Sequence, residues 1–209
     1  QDLTQIRDRI VEQALQEAPV DGWTFQAFQA AAERAGYTRH MVAAAFPGGC
    51  DEAMAHLSDY ADRRMLARLQ SMDLQDLRVR DRIRTAVLMR LEILNPHKQA
   101  IRLAASYYAI PSRKPQAARL VWRTADRIWN RAGDTSQDYN YYTKRALLSC
   151  VLTSTTLAWL GDEDDPEMAG TAAFLDRRID NVLRLGGTFG KTIGTLAGKI
   201  PEPLRRKGV

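Results

Sequence analysis

Apolar residues recur at three- and four-residue spacing through nearly every segment between the prolines and glycines, and no β-branched run alternates with period two. That pattern confines the chain to packed helices. With 209 residues, 45% of them hydrophobic, the chain can bury one sizeable core, and one domain is the expectation. No stretch of about 18 or more apolar residues reads as a membrane span.

The spacing predicts the helices in order. Ile6, Ile10, Val11, Ala14 and Leu15 share a face of a first helix ending before Pro19 and Gly22. A short helix follows over Phe25–Arg34, Ala35 and Gly36 turn the chain, and Thr38 caps a second short helix reaching Ala45. Phe46-Pro47-Gly48-Gly49 breaks it, which completes a helix-turn-helix in outline. Long amphipathic helices are predicted over 51–70 and 74–94. Pro96, Pro111 and Pro115 then delimit helices over 101–108 and 117–131. A helix over 137–160, apolar on most faces, is expected at the centre of its bundle. The acidic run 162–165 reads as a solvated loop before a helix over 167–184.

Charge is unevenly placed. The net charge of +5 divides into −2 through Phe46, +2 over 47–183 and +5 over 184–209. A nucleic-acid or anionic-membrane binder carries its basic face where contact is made, so the tail is the candidate.

Groups that could support catalysis are sparse. His40, His56 and His97 form no pair at helical ligand spacing, and Cys50 and Cys150 are far apart, so neither a metal site nor a disulfide framework is expected. The run Gly186 to Thr192 resembles a phosphate loop but has three residues between Gly186 and Gly190 where four are needed. The carboxylates of 162–165 lack the spaced ligands and glycine of a calcium loop. The chain is read as a non-enzyme without a cofactor. Gln1-Asp2-Leu3 leads straight into a charged amphipathic pattern, unlike a secretory signal, and export is not expected.

Gly22-Trp23-Thr24-Phe25 through Ala35-Gly36-Tyr37-Thr38-Arg39 to Phe46-Pro47 resembles the N-terminal DNA-binding unit of TetR-family regulators. The resemblance implies three small helices ahead of a larger ligand-binding helical body, and a homodimer. DNA reading itself has little support. After Arg39 and His40 the would-be recognition helix offers Met41, Val42 and three alanines, and Gly48-Gly49 replaces the family's phosphate-binding basic residue.

A second set of motifs covers more of the chain. Residues 122–129 (Trp-Arg-Thr-Ala-Asp-Arg-Ile-Trp), the run from Ala132-Gly133-Asp134 to Lys144-Arg145, and residues 174–179 (Phe-Leu-Asp-Arg-Arg-Ile) are similar to the COQ9 family. That resemblance implies a TetR-like fold and lipid-binding accessory proteins of ubiquinone biosynthesis. It also implies bound isoprenoid lipid and assistance to the di-iron hydroxylase of demethoxyubiquinone. The family often has Trp-Tyr where this chain has Tyr141-Tyr142.

On a helix from Gln137, the residues Asp138, Tyr141, Tyr142 and Arg145 share one face, and Ile128 is placed at its border. Aromatics beside Arg and Asp suit a partner-binding patch. The alternative is that Tyr141 and Tyr142 are core residues and Asp138 pairs with Arg145. Trp122 and Trp129, seven apart, suit core packing or the lining of an apolar pocket, and Leu147 and Leu148 join them as candidate lipid-binding residues.

In the tail, Leu185, Phe189, Ile193, Leu196 and Ile200 form an apolar stripe, with Lys191 and Lys199 elsewhere on the wheel. Gly186, Gly190, Gly194 and Gly198 weaken this helix in water, so it suits folding against lipid. Arg205-Arg206-Lys207 would meet anionic headgroups. The competing reading is a helix–helix contact through the small residues.

The expectation is therefore an all-α, TetR-regulator-like bundle over 1–183, with a helix-turn-helix unit over 1–46, a ligand-binding body over 47–183 and an amphipathic basic tail over 184–209. It would bind an isoprenoid quinone precursor or phospholipid and dock on the membrane. It would present its ligand to the hydroxylase and work as a homodimer, without nucleic acid. Its place would be the cytoplasm at the inner membrane, or the mitochondrial matrix side in a eukaryote. The alternative is a ligand-responsive TetR-type transcription regulator.

Overall fold

The computed structural model describes residues 2–74, 76–135 and 139–197, with backbone only for 139, 183 and 185–197. Among the described residues there is no strand. The α-helices are α1 (Leu3–Asp21), α2 (Phe25–Arg34), α3 (Arg39–Ala45), α4 (Gly49–Gln70), α5 (Val79–Leu94), α6 (Lys98–Ala109), α7 (Lys114–Ala132), α8 (Tyr139–Gly161) and α9 (Ala169–Ala197).

The start of the chain follows its local signals closely. Thr24 Oγ1 accepts from the Ala27 N–H at 3.0 Å and Thr38 Oγ1 from the Met41 N–H at 3.4 Å, so each short helix begins at a side-chain cap. Gly36 takes the turn between them at φ +86°, where a side chain would be strained. Pro19, expected to end α1, instead lies inside it. Near a C-terminus proline forfeits one backbone bond, and α1 runs on until Gly22 closes it, with its N–H donating to Ala18 O at 2.9 Å.

Other boundaries shift for similar reasons. Helix α5 starts at Val79, and Leu74 is buried from the preceding loop without being helical. Pro115 sits in the first turn of α7, where a missing N–H costs nothing. Asp165 in the acidic run accepts from the N–H groups of Ala169 at 2.8 Å and Gly170 at 2.7 Å, so it caps α9 rather than lying idle in solvent. The separate tail helix expected after 184 is, as far as Ala197, the continuation of α9.

Two adjoining cores hold the helices together. In the first, Ile10, Phe28, Phe46, Met54 and Trp159 gather α1 to α4 against α6 and the end of α8. Trp23 Nε1 donates to Ala100 O at 2.9 Å, tying the helix-turn-helix unit to α6. In the second, Met65, Ile83, Ile128, Leu148 and Leu175 join the far half of α4 to α5, α7, α8 and α9. Arg84 of α5 donates to both oxygens of Asp176 at 2.7 and 3.2 Å and so fixes α9 on that core.

A buried carboxylate lies between the cores. Asp62 of α4, fully excluded from solvent, accepts from Arg90 Nε at 2.8 Å, Arg127 at 3.2 Å and the Thr124 hydroxyl at 3.0 Å. A buried charge is tolerable only when paired and hydrogen-bonded in this way. Its partners position α5 and α7 around the space described next.

Candidate functional site

Where α6 and α7 face α4 and α8, their small side chains leave a gap. Ala104, Ala105 and Ala109 on α6 and Ala117 on α7 border a cavity of about 530 Å³. Met54, Leu57 and Ala61 of α4 form its floor side, and Leu94, Ile101 and Leu152 close it from α5, α6 and α8. Leu157 lines it too and stands 58% exposed, so an apolar residue marks the opening to solvent. The volume lies within the roughly 300–1,000 Å³ of small-molecule sites, and the walls are those of a site for an apolar ligand.

The expected lipid-binding residues are elsewhere. Trp122, Trp129, Leu147 and Leu148 do not line the cavity. Leu148 is buried in the second core, and Trp129 packs at its edge with its Nε1 donating to Lys144 O at 3.0 Å. The reason is helical phase: α7 turns Ala117, Leu120, Val121 and Thr124 to the cavity, and α8 reaches it one turn beyond Leu148, at Leu152 and Thr153. Seven-residue spacing put Trp122 and Trp129 on one face but could not say which.

Trp122 instead belongs to an exposed aromatic surface. Its ring centroid is 6.3 Å from that of Tyr142, which is 63% exposed and stands edge-on to Tyr141 at 5.1 Å. Beneath them Arg145 is 1% exposed. It donates to Asp126 from Nε at 2.6 Å, to Asp134 from NH1 at 3.0 Å and to Asn130 from NH2 at 3.1 Å, with its guanidinium carbon 3.4 Å from the Tyr141 ring centre. Burial works against the Arg145 charge, yet the bonds to Asp126 and Asp134 raise its pKa further.

The expected partner face is thus divided by depth. Ile128, 1% exposed, lies in the second core, and Arg145 supports the surface from below, so neither is itself available to a partner. Tyr141 is half-buried and donates to Asp126 at 3.1 Å. Asp138 lies outside the described residues; among the described residues the carboxylates on Arg145 are Asp126 and Asp134. Sequence reading missed both, although each stood in a motif already singled out. In the tail, Leu185, Phe189, Lys191, Ile193 and Leu196 lie on the described backbone of α9, while Lys199 and Ile200 are outside the described residues.

The helix-turn-helix unit has its cations engaged. Arg39 donates to both oxygens of Glu33 at 2.7 and 3.1 Å, leaving His40, Ala43 and Ala44 on the exposed side of α3. At the turn after Phe46, the Gly48 N–H donates to Glu52 at 2.7 Å. An internal carboxylate occupies the donor that a phosphate would seek. Among the described residues, no cluster of His, Cys, Asp and Glu could hold a metal ion, and no helix is long and apolar enough to cross a membrane.

Fold and site together define an all-helical protein of the TetR-regulator shape, with an apolar cavity in its body. A TetR transcriptional regulator from Nitrosomonas europaea ATCC 19718 matches with a TM-score of 0.68 and 22% identity, covering 86% of this chain and 98% of that one. That likeness concerns the fold. By sequence, residues 114–186 match the COQ9 family model. The mitochondrial ubiquinone biosynthesis protein COQ9 of Drosophila melanogaster is 32% identical over 195 residues, covering 90% of this chain and 59% of its own. The COQ9 proteins of Rattus norvegicus and Homo sapiens are 30% and 29% identical over 191 residues, 88% of this chain. The chain spans about 60% of the length of these relatives.

Proposed function

We propose that this chain is a lipid-binding accessory protein of ubiquinone biosynthesis, which takes an isoprenoid quinone precursor from a membrane and offers it to the hydroxylase acting on demethoxyubiquinone. The cavity of about 530 Å³ with apolar walls carries the reading. It holds the isoprenoid portion of the ligand, and the protein supplies binding and presentation rather than catalysis.

The placement of the aromatic surface supports presentation. Val121 lines the cavity, and the next residue, Trp122, packs beside exposed Tyr142. Ligand and partner would therefore meet on the same pair of helices, α7 and α8. Aromatic side chains held rigidly at a surface are the usual anchors of a protein interface. The basic, apolar-striped tail is assigned to membrane docking at the inner membrane, on the matrix side in a mitochondrion, and the TetR-like body to a homodimer.

The regulator reading has less behind it. The Arg39–Glu33 pair and the Gly48–Glu52 bond remove a cation and a phosphate donor from the unit that would read DNA, whose net charge is −2. A gel-shift screen with random duplexes at low salt should show no retained complex.

The deciding experiment is native mass spectrometry with lipid extraction on protein from a quinone-making host, beside a variant ending at Leu185. Expected are co-purified isoprenoid in both proteins and liposome binding only in the longer one. An empty protein that ignores liposomes would overturn the assignment.

A further inference from the structure

Among the described residues, the buried side-chain polar atoms without a hydrogen-bond partner are Tyr108 Oη, Arg123 Nε, Arg131 Nε and Thr155 Oγ1, and of these residues only Tyr108 lines the cavity. We propose that the Tyr108 hydroxyl is the anchor for a neutral oxygen on the head of the apolar ligand, a carbonyl or ether of a ring such as a quinone. This rests on the lipid-binding reading above and names the residue and chemistry that would orient the lipid.

The contrast with neighbouring polar groups carries the assignment. Tyr107, next in sequence, spends its hydroxyl on the Asp51 carboxylate. Several other polar groups of the cavity wall are committed: Arg90 donates to Asp62 at 2.8 Å and to Ser58 at 3.4 Å, Thr124 donates to Asp62 at 3.0 Å, and Thr153 donates to Ser149 O at 2.9 Å. A buried hydroxyl left without a partner is disfavoured, and native interiors keep few of them. Tyr108 lines a ligand-sized cavity, and a turn of its side chain would bring the shielded hydroxyl to an occupant's oxygen.

The chemistry of the occupant follows from the donor. Burial pushes the Tyr108 hydroxyl well above the ordinary tyrosine range, and the Asp51 charge adds to it against the opposing cations Arg123 and Arg113. It therefore stays protonated and offers an O–H. Arg123 Nε, though without a hydrogen bond, lies 3.8 Å from the Asp62 carboxylate, and Arg123 is not part of the cavity wall. A protonated hydroxyl without a partner asks for an acceptor. Among predominantly apolar walls a neutral oxygen fits it better than an anion, whose desolvation would be costly. Ala104, one turn before Tyr108 on the same face of α6, and adjoining Ala105 leave room for a ring at that point.

The test compares two probes of one shape, geranyl-1,4-benzoquinone and geranylbenzene, by equilibrium dialysis against the full chain. The wild type should prefer the quinone. Tyr108→Phe should bind geranylbenzene unchanged and the quinone roughly three- to tenfold more weakly, the size of one neutral hydrogen bond. Tyr107→Phe should keep the preference, and the thermal midpoint of Tyr108→Phe should not fall, because no native bond is lost. Unaltered quinone binding by Tyr108→Phe, or equal weakening of both probes, would overturn the anchor while leaving the lipid reading intact. A wild type that binds neither probe would overturn both.

Discussion

Arg145 NH1 and Asp134 Oδ2 meet at 3.0 Å with 1% and 3% of their side chains exposed, one on α8 and the other just beyond the end of α7. The bond clamps the connection between these helices and, with Asp126, holds the base of the Tyr141–Tyr142 pair. Removing one partner from a buried pair strands the other charge, a loss of about 3–5 kcal/mol. Arg145→Met should show that loss in urea denaturation, and Arg145→Lys should recover little, because one ammonium cannot replace the planar fork that reaches Asp126, Asp134 and Asn130.

Tyr142 should behave in the opposite way. Its ring is largely in solvent, so Tyr142→Ala should change stability by no more than about 0.5 kcal/mol. If Tyr142 meets the hydroxylase, the same variant should weaken a pull-down of that enzyme at least tenfold. A variant that is stable and still binds the enzyme would remove Tyr142 from the interface.

Filling the cavity separates lipid binding from folding. Ala117 borders open space, so Ala117→Phe should leave the urea midpoint near that of the wild type. Co-purified lipid should disappear. A lipid load equal to the wild type's would place the ligand outside the cavity.

Acid should destabilise the protein in two stages. Burial lowers the His56 pKa below the ordinary 6.5, overcoming the raising effect of its 2.7 Å contact with Asp8. On acidification the unfolded chain therefore takes up this proton first, and stability, full above about pH 6.5, falls from there down through the folded-state pKa. Asp8 is lowered although burial opposes it, because Arg63 and His56 hydrogen-bond to its charged form. Its contribution is present above the ordinary 3.8 and is lost as pH falls through its lower folded value. Urea midpoints should begin to fall as pH drops below about 6.5, and His56→Gln should flatten that first stage while leaving the steeper acid loss.

Much of the fold is local and was legible. Thr24, Gly36 and Thr38 specify the helix-turn-helix through caps and a turn that act within a few residues. Periodicity found the body helices and placed most of their boundaries to within a few positions, but it ended α9 at 184 where the helix runs on to Ala197. The site was less legible because it depends on which way each helix is rolled. The alanines of α6 and α7 read as ordinary helix formers, and only their assembly against α4 and α8 makes them a gap. Arg145 was found by motif but not by depth. A charged residue beside tyrosines reads as surface until Asp126 and Asp134 are seen to enclose it.

Gly48 and Glu52 bear on more than one hydrogen bond. A carboxylate four residues away in the same helical turn is presented at a high effective concentration, typically millimolar or above for tethered groups. Any external polyanion approaching that amide must displace a competitor that never diffuses away. The helix-turn-helix thus keeps that amide for its own use, and through the bond from Trp23 to Ala100 it serves as a plinth against which α4 and α6 are seated.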